Sequence, residues 1–184
     1  FDSLGISTKY IKILKDEFTA QAYITTDLKD NQISSFFEGA LSKASEQPLS
    51  LVSDPPDLVI IAANFPRTML EHAQHCQKND WKYYFDPGQA LNALSGEQIR
   101  EAIRGAQGIF VNEYEWQLFQ QKSGMKREEI LKLVPRVLVT LADRGVQVMA
   151  ADRTFRVPAA ANITVLDPTG AGDAFRAGYL YGIS

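Results

Sequence analysis

The segment Asp57-Leu58-Val59-Ile60-Ile61-Ala62-Ala63 carries no polar side chain after its first residue. A strand that is apolar on both edges of its alternation must be covered on both faces. Pro66 follows, and proline at a first helical position predicts a helix running to about Asn79. The same alternation then repeats. Trp81 to Phe85 reads as a strand, ended by Asp86-Pro87-Gly88. Ser95 with Gln98 three residues on predicts a capped helix to Gly105. Gly108 to Val111 reads as a strand, Glu113 to about Lys122 and Arg127 to Val134 as helices, and Arg136 to Leu141 as a strand. Gly145 to Ala150 and Thr154 to Val157 read as a hairpin, and helix resumes from Gly170. Apolar strands alternating with helices imply βαβ units: an α/β fold with a mainly parallel sheet and helices on both faces.

Residues 10–37 follow another pattern. Tyr10 to Leu14, Ala20 to Thr26 and Gln32 to Phe37 are short β-type runs separated by Asp16-Glu17 and Asp27 to Asn31. They predict a small antiparallel sheet with one wet face, separate from the core and placed as a lid. We divide the chain into residues 1–40, part of the lid and its connections, and 41–184, an α/β core. The chain opens at Phe1 without methionine and stops at Ser184 inside its last helix, so we expect a segment cut from a longer protein at both ends.

Composition excludes several classes of function. The net charge is −3 and no basic stripe occurs, which gives nucleic-acid binding no support. No apolar run reaches the length of a membrane span, and no signal peptide opens the chain. Cys76 is the one cysteine, so no intrachain disulfide can form, and a cytoplasmic location is expected.

The chemistry concentrates in Asp167-Pro168-Thr169-Gly170-Ala171-Gly172-Asp173, followed by Ala174-Phe175-Arg176-Ala177-Gly178-Tyr179-Leu180. Small residues at a helix start expose backbone N–H groups, and the helix dipole adds positive potential, so an anion can bind there. Asp173 in the first turn can take a proton from a hydroxyl attacking a phosphate. Ordinary helix capping by Asp167 or Thr169 would explain the turn alone. It would not explain small residues at Ala177 and Gly178, which allow close helix packing. The combination points to an ATP-dependent kinase of small molecules.

A second cluster is Asn112-Glu113-Tyr114-Glu115 after the strand ending at Val111. Asn112 and Glu115 share one face of a helix's first turn, and their oxygens suit Mg²⁺ directly or through water. Capping with dipole-complementing acids accounts for the same residues. A third is Val139-Thr140-Leu141-Ala142-Asp143-Arg144-Gly145, a strand and its turn. Asp86 reads as a loop-capping residue, and no role is assigned to it. His72, His75 and Cys76 share a helix face, but no fourth ligand has matching spacing, so Cys76 reads as a small buried hydrophobe. No P-loop, protein-kinase or dinucleotide signature is present.

The run 167–180 resembles the C-terminal signature of the PfkB/ribokinase family of small-molecule kinases. The resemblance extends to Asn112-x-x-Glu115, to Thr140-Leu141-Ala142-x-x-Gly145, and to the hairpin segments Thr19-Ala20-Gln21-Ala22 and Phe37-Glu38-Gly39-Ala40. It implies a ribokinase-like fold in which Gly170, Ala171 and Gly172 form the anion hole and Asp173 is the catalytic base. It further implies that Asn112, Thr140 and Gly145 contact ATP, and that Glu115 positions Mg²⁺, chiefly through water. Asp167 and Thr169 fall where members bind a monovalent cation such as K⁺. Ala142 stands where the family has glycine, and alanine disfavours positive φ, which weighs against close backbone approach there. The resemblance implies transfer of the γ-phosphate to a primary hydroxyl of a nucleoside or sugar. Asp86-Pro87-Gly88-Gln89 and Gly172 to Arg176 look most like the bacterial adenosine-kinase-like branch, so adenosine is favoured. A ribokinase- or fructokinase-type sugar kinase and a non-catalytic binding relative are the alternatives. Lids in this family can pair, so a homodimer through residues 10–37 is expected.

Overall fold

The computed structural model describes residues 1–26, 32–161 and 169–183. Two sheets form. The smaller is an antiparallel ribbon of β1 (Gln21–Thr26) and β2 (Gln32–Phe37), in register from Gln21 opposite Phe37 to Thr26 opposite Gln32. The larger has six strands in chain order: β3 (Val59–Ile61), β4 (Tyr83–Phe85), β5 (Gly108–Asn112), β6 (Arg136–Thr140), β7 (Val146–Ala150) and β8 (Thr154–Val157). The first four run parallel and the last two add antiparallel. Five α-helices accompany them: α1 (Pro66–Lys78), α2 (Gly96–Ile103), α3 (Glu113–Ser123), α4 (Arg127–Leu133) and α5 (Ala171–Ile183). The fold is α/β, with a mixed, mostly parallel sheet.

Strand alternation sorts the core into two layers. Ile61, Tyr83, Phe85, Ile109, Val111, Val137 and Val139 point to one face, where they pack against Met69, Ala73, Ile99, Phe119 and Ile130 of α1 to α4. Tyr84, Phe110 and Leu138 point to the other, where Phe175, Tyr179 and Leu180 of α5 meet them. Strands taken in order with crossover helices on one face require crossovers of a single hand, as parallel sheets demand. Two N-caps follow the sequence expectation. Ser95 and Gln98 form a reciprocal capping box on α2, and Asn112 and Glu115 form another on α3.

One expectation fails. Tyr10 to Leu14 is not a strand. Its residues find no partner strand among the described residues. The Tyr10 hydroxyl instead lies 3.1 Å from Ser53 Oγ, and Lys12 pairs with Glu46 at 2.8 Å. The ribbon therefore has two strands, and a lone pair of strands is only marginally stable in water. Tyr23, Ile24, Ile33, Phe36 and Phe37 on it are exposed. On α1 the reading of Cys76 as a small buried hydrophobe holds. Cys76 is buried, its thiol pushed up to about 11 by desolvation, while the His75 ring meets Trp81 edge-on at 4.9 Å.

Candidate active site

The carboxyl ends of parallel strands collect loops and helix starts, and there ligands bind in open α/β sheets. Three such ends matter here. β4 delivers Asp86, whose backbone N–H donates to Ile61 O at 2.9 Å and extends the pairing with β3. β5 delivers Asn112, and β6 delivers Thr140. The start of α5 lies opposite them. Gly170 takes φ +78°, a left-handed conformation that frees the turn from side-chain strain, and its carbonyl accepts the first helical bond, from Ala174 N at 2.9 Å.

Two clefts meet at this helix start. The larger, about 750 Å³, is lined by Asn112, Thr140, Ala142, Gly145, Ala171 and Gly172, among others. The smaller, about 490 Å³, is lined by Asp86, Gln89, Glu115, Gly172, Asp173 and Arg176, among others. Asn112, Thr140, Gly172 and Phe175 border both. Both volumes lie in the usual range for small-molecule sites, roughly 300–1,000 Å³. The structure thus brings together Asn112, Thr140, Gly145, Ala171, Gly172, Asp173 and Glu115. Gly170 and Thr169 form the turn just before the helix, outside both linings, and Asp167 lies outside the described residues.

The capping box on α3 limits what its two members can do. Glu115 Oε2 accepts from Asn112 N at 2.8 Å, and Asn112 Oδ1 accepts from Glu115 N at 2.8 Å. Structural capping and a place in the cleft coexist, because the Asn112 amide nitrogen and the second Glu115 oxygen stand outside the box. No cluster of three or more His, Cys, Asp or Glu among the described residues is arranged to hold a metal. The donor set fits Mg²⁺ in one sense: this ion is commonly held by one or two carboxylates, with phosphates and waters completing its shell.

Ala142 and Gly145 define the rim of the larger cleft. Ala142 takes φ +54° despite its methyl group, so the left-handed turn forms without glycine. Gly145 has φ +87°, and a Cβ there would overlap the Val157 carbonyl oxygen and stand 2.6 Å from Ala159 N. Close passage of residues 157–159 is thus one reason for this glycine. Arg144 bridges to Glu113 at 2.6 Å across the rim. This exposed pair contributes at most about 1 kcal/mol.

Two residues at the site carry no role in the sequence reading, and here they are central. Asp86 is buried at 4% exposure. Desolvation pushes its carboxyl up to about 6, offset in part by Arg176 and reinforced by the like charges of Glu115 and Asp173. Arg176 Nε stands 2.6 Å from Asp86 Oδ2, close in distance but poorly directed, since that oxygen has no hydrogen bond among the described residues. The other end of the guanidinium donates, through Nη2, to Asp173 Oδ1. The sequence signal was available in part: Arg176 is one turn past Asp173, and Asp86 ends a buried strand. Their contact across ninety positions was not.

The fold and its paired clefts define an α/β protein with a helix start that faces the carboxyl edge of the sheet. The chain belongs to the pfkB family of carbohydrate kinases, whose sequence model matches residues 1–184. It is 31% identical over 178 residues to a nucleoside kinase of Methanocaldococcus jannaschii, covering 97% of this chain and 58% of that protein. It superposes on Burkholderia thailandensis nucleoside kinase in complex with inosine with a TM-score of 0.92 and 37% identity, over 99% of this chain and 61% of that one. A ribokinase from Cryptococcus neoformans var. grubii in complex with ADP shares the fold, with a TM-score of 0.80 and 23% identity, over 99% of this chain and 64% of that one. The chain therefore spans about three fifths of the length of these relatives. No helix among the described residues is long and apolar enough to cross a membrane.

Proposed function

We propose that the protein containing this chain is an ATP-dependent nucleoside kinase that moves the γ-phosphoryl group to a primary hydroxyl, with adenosine the favoured acceptor. The observation that carries this reading is the meeting of two clefts at Gly172, with Asp173 on the smaller one. ATP takes the larger cleft, contacted by Asn112, Thr140 and Gly145. The acceptor takes the smaller. The backbone at Gly170, Ala171 and Gly172 receives the transferred phosphoryl group, where the N–H groups of a helix start offset its charge.

Asp173 is the base that takes the acceptor's hydroxyl proton. Phosphoryl transfer depends on positioning and charge stabilisation more than on a strong base, so a carboxylate suffices. Glu115 holds Mg²⁺ through water, and the bound ion offsets charge on the phosphate oxygens. Thr169 and Asp167 order the turn with a monovalent cation such as K⁺. The exposed apolar residues of the β1–β2 ribbon support its role as a lid, and pairing of two lids as the dimer contact.

The likeness to nucleoside kinases, one of them holding inosine, supports a purine nucleoside over a free sugar. The test is ADP release by the full-length protein with adenosine, inosine, ribose and fructose in parallel. The reading predicts turnover with the nucleosides. Turnover with ribose or fructose alone would make it a sugar kinase, and ATP binding without turnover on any acceptor would make it a non-catalytic relative.

A further inference from the structure

We propose that Arg176 is a positioning residue that holds the Asp173 carboxylate toward the acceptor cleft, and that buried Asp86 is the anchor that fixes Arg176. The proposal rests on Asp173 being the base.

Asp173 needs such a device. Its side chain is 80% exposed on the first turn of α5, so packing against the described residues does little to limit its rotamers. A base must stand at hydrogen-bond reach of the hydroxyl it deprotonates, and misplacement by about 1 Å can cost about 100-fold in rate. Arg176, one turn along α5, supplies a rigid planar fork with five donors, able to face two carboxylates at once. Nη2 holds Asp173 Oδ1, and Nε faces Asp86 Oδ2 at 2.6 Å.

Asp86 gives the fork a fixed footing. It follows β4 directly, its backbone pairs with β3, and its side chain is only 6% exposed. An i,i+3 ion pair for helix stability alone would need no third member and would contribute little. Burying a third carboxylate beside Glu115 and Asp173 carries a desolvation and like-charge cost, an arrangement that recurs at functional sites. The contact thus ties an exposed acid on a lightly held helix to the stiff end of a central strand.

The test compares R176Q, R176K, D86N, D86N/R176Q and D173N in the full-length protein, with kcat, acceptor KM and ATP affinity measured for each and folding checked by circular dichroism. We expect R176Q and D86N each to lower kcat roughly 10- to 100-fold, with ATP affinity changed less than about twofold. R176K should not restore the rate, because a point charge cannot bridge two carboxylates. The double variant should be no slower than the worse single one, since both remove one device. Unchanged kcat in R176Q and D86N, full rescue by lysine, or losses that multiply in the double variant would overturn the proposal. If D173N is inactive while R176Q and D86N are normal, the tether falls and the base stands. If D173N is active, both fall. Should R176Q not fold, R176K and D86N carry the same comparison.

Discussion

One face of the six-stranded sheet lies under α1 to α4, while α5 is the only helix packed on the other among the described residues. The first face is closed: Phe85, Ile109, Ile99, Phe119 and Val137 are fully buried. The second is held by a few aromatic contacts. Phe110 meets Phe175 and Tyr179 edge-on, at 6.1 and 5.5 Å, and Tyr84 meets Tyr179 at 5.8 Å. Arg136 Nη1 adds a bond to the Tyr179 hydroxyl at 2.9 Å. No residue of α5 is fully buried. The contrast falls across the site. Asn112, Thr140 and Asp86 sit at the ends of strands locked under four helices, whereas Gly172 and Asp173 ride on a helix with few attachments. Among the described residues, geometry on the strand side comes from packing, whereas the start of α5 is held through Arg176 and a few aromatic contacts.

The largest expected effect tests that asymmetry directly. Phe85→Ala on the closed face should cost about 3–5 kcal/mol, read by urea unfolding, because the buried ring leaves a cavity. Phe175→Ala on the open face should cost clearly less, as its ring is half-buried and water can fill its place. Equal losses would erase the distinction between the faces.

A smaller effect concerns the residue that links them. The Asp86 carboxyl is raised to about 6 in the fold and titrates near 3.9 in an unfolded chain. Between those values the folded state binds more protons than the unfolded one. Stability should therefore fall as pH rises from about 4 to about 6, by at most about 3 kcal/mol, and level off above that. The difference between wild type and Asp86→Asn isolates this slope, and an unchanged difference across that range would show that the carboxyl is not desolvated.

The smallest effect lies at the cleft rim, outside both faces. Ala142 holds φ +54°. Relief of left-handed strain favours glycine by about 1–2 kcal/mol, while the freer unfolded chain takes back roughly 0.4–1 kcal/mol. Ala142→Gly should thus raise stability by roughly 0–1.6 kcal/mol, visible as a small rise in Tm. A fall in Tm would mean that the methyl packs usefully.

Much of the core was legible because its signals are local. The apolar run Leu58 to Ala63 marked a strand, which forms over Val59–Ile61, although Ile60, Ala62 and Ala63 are exposed and not covered by the described residues. Ser95 with Gln98 writes its capping box within four residues. Tyr10 to Leu14 failed for the opposite reason: alternation states what a strand would look like, but a strand exists only where a partner offers its backbone. Asn112 and Glu115 were legible as caps, and the structure places both of them on the lining of the smaller cleft. Asp86 was passed over because an aspartate before Pro-Gly ordinarily caps a loop. Its burial and its facing of Arg176 arise from β4 and α5 converging, which no local pattern encodes. Asp167 lies outside the described residues, so its cation role rests on the resemblance alone.

In the proposed function, Asp173 deprotonates the acceptor at the start of α5. Single-turnover phosphorylation of adenosine by full-length Asp173→Asn, beside a direct measurement of ATP binding, tests it most directly. The rate should drop by about 10²–10⁴-fold with ATP binding nearly unchanged. A rate within a few-fold of wild type would contradict it.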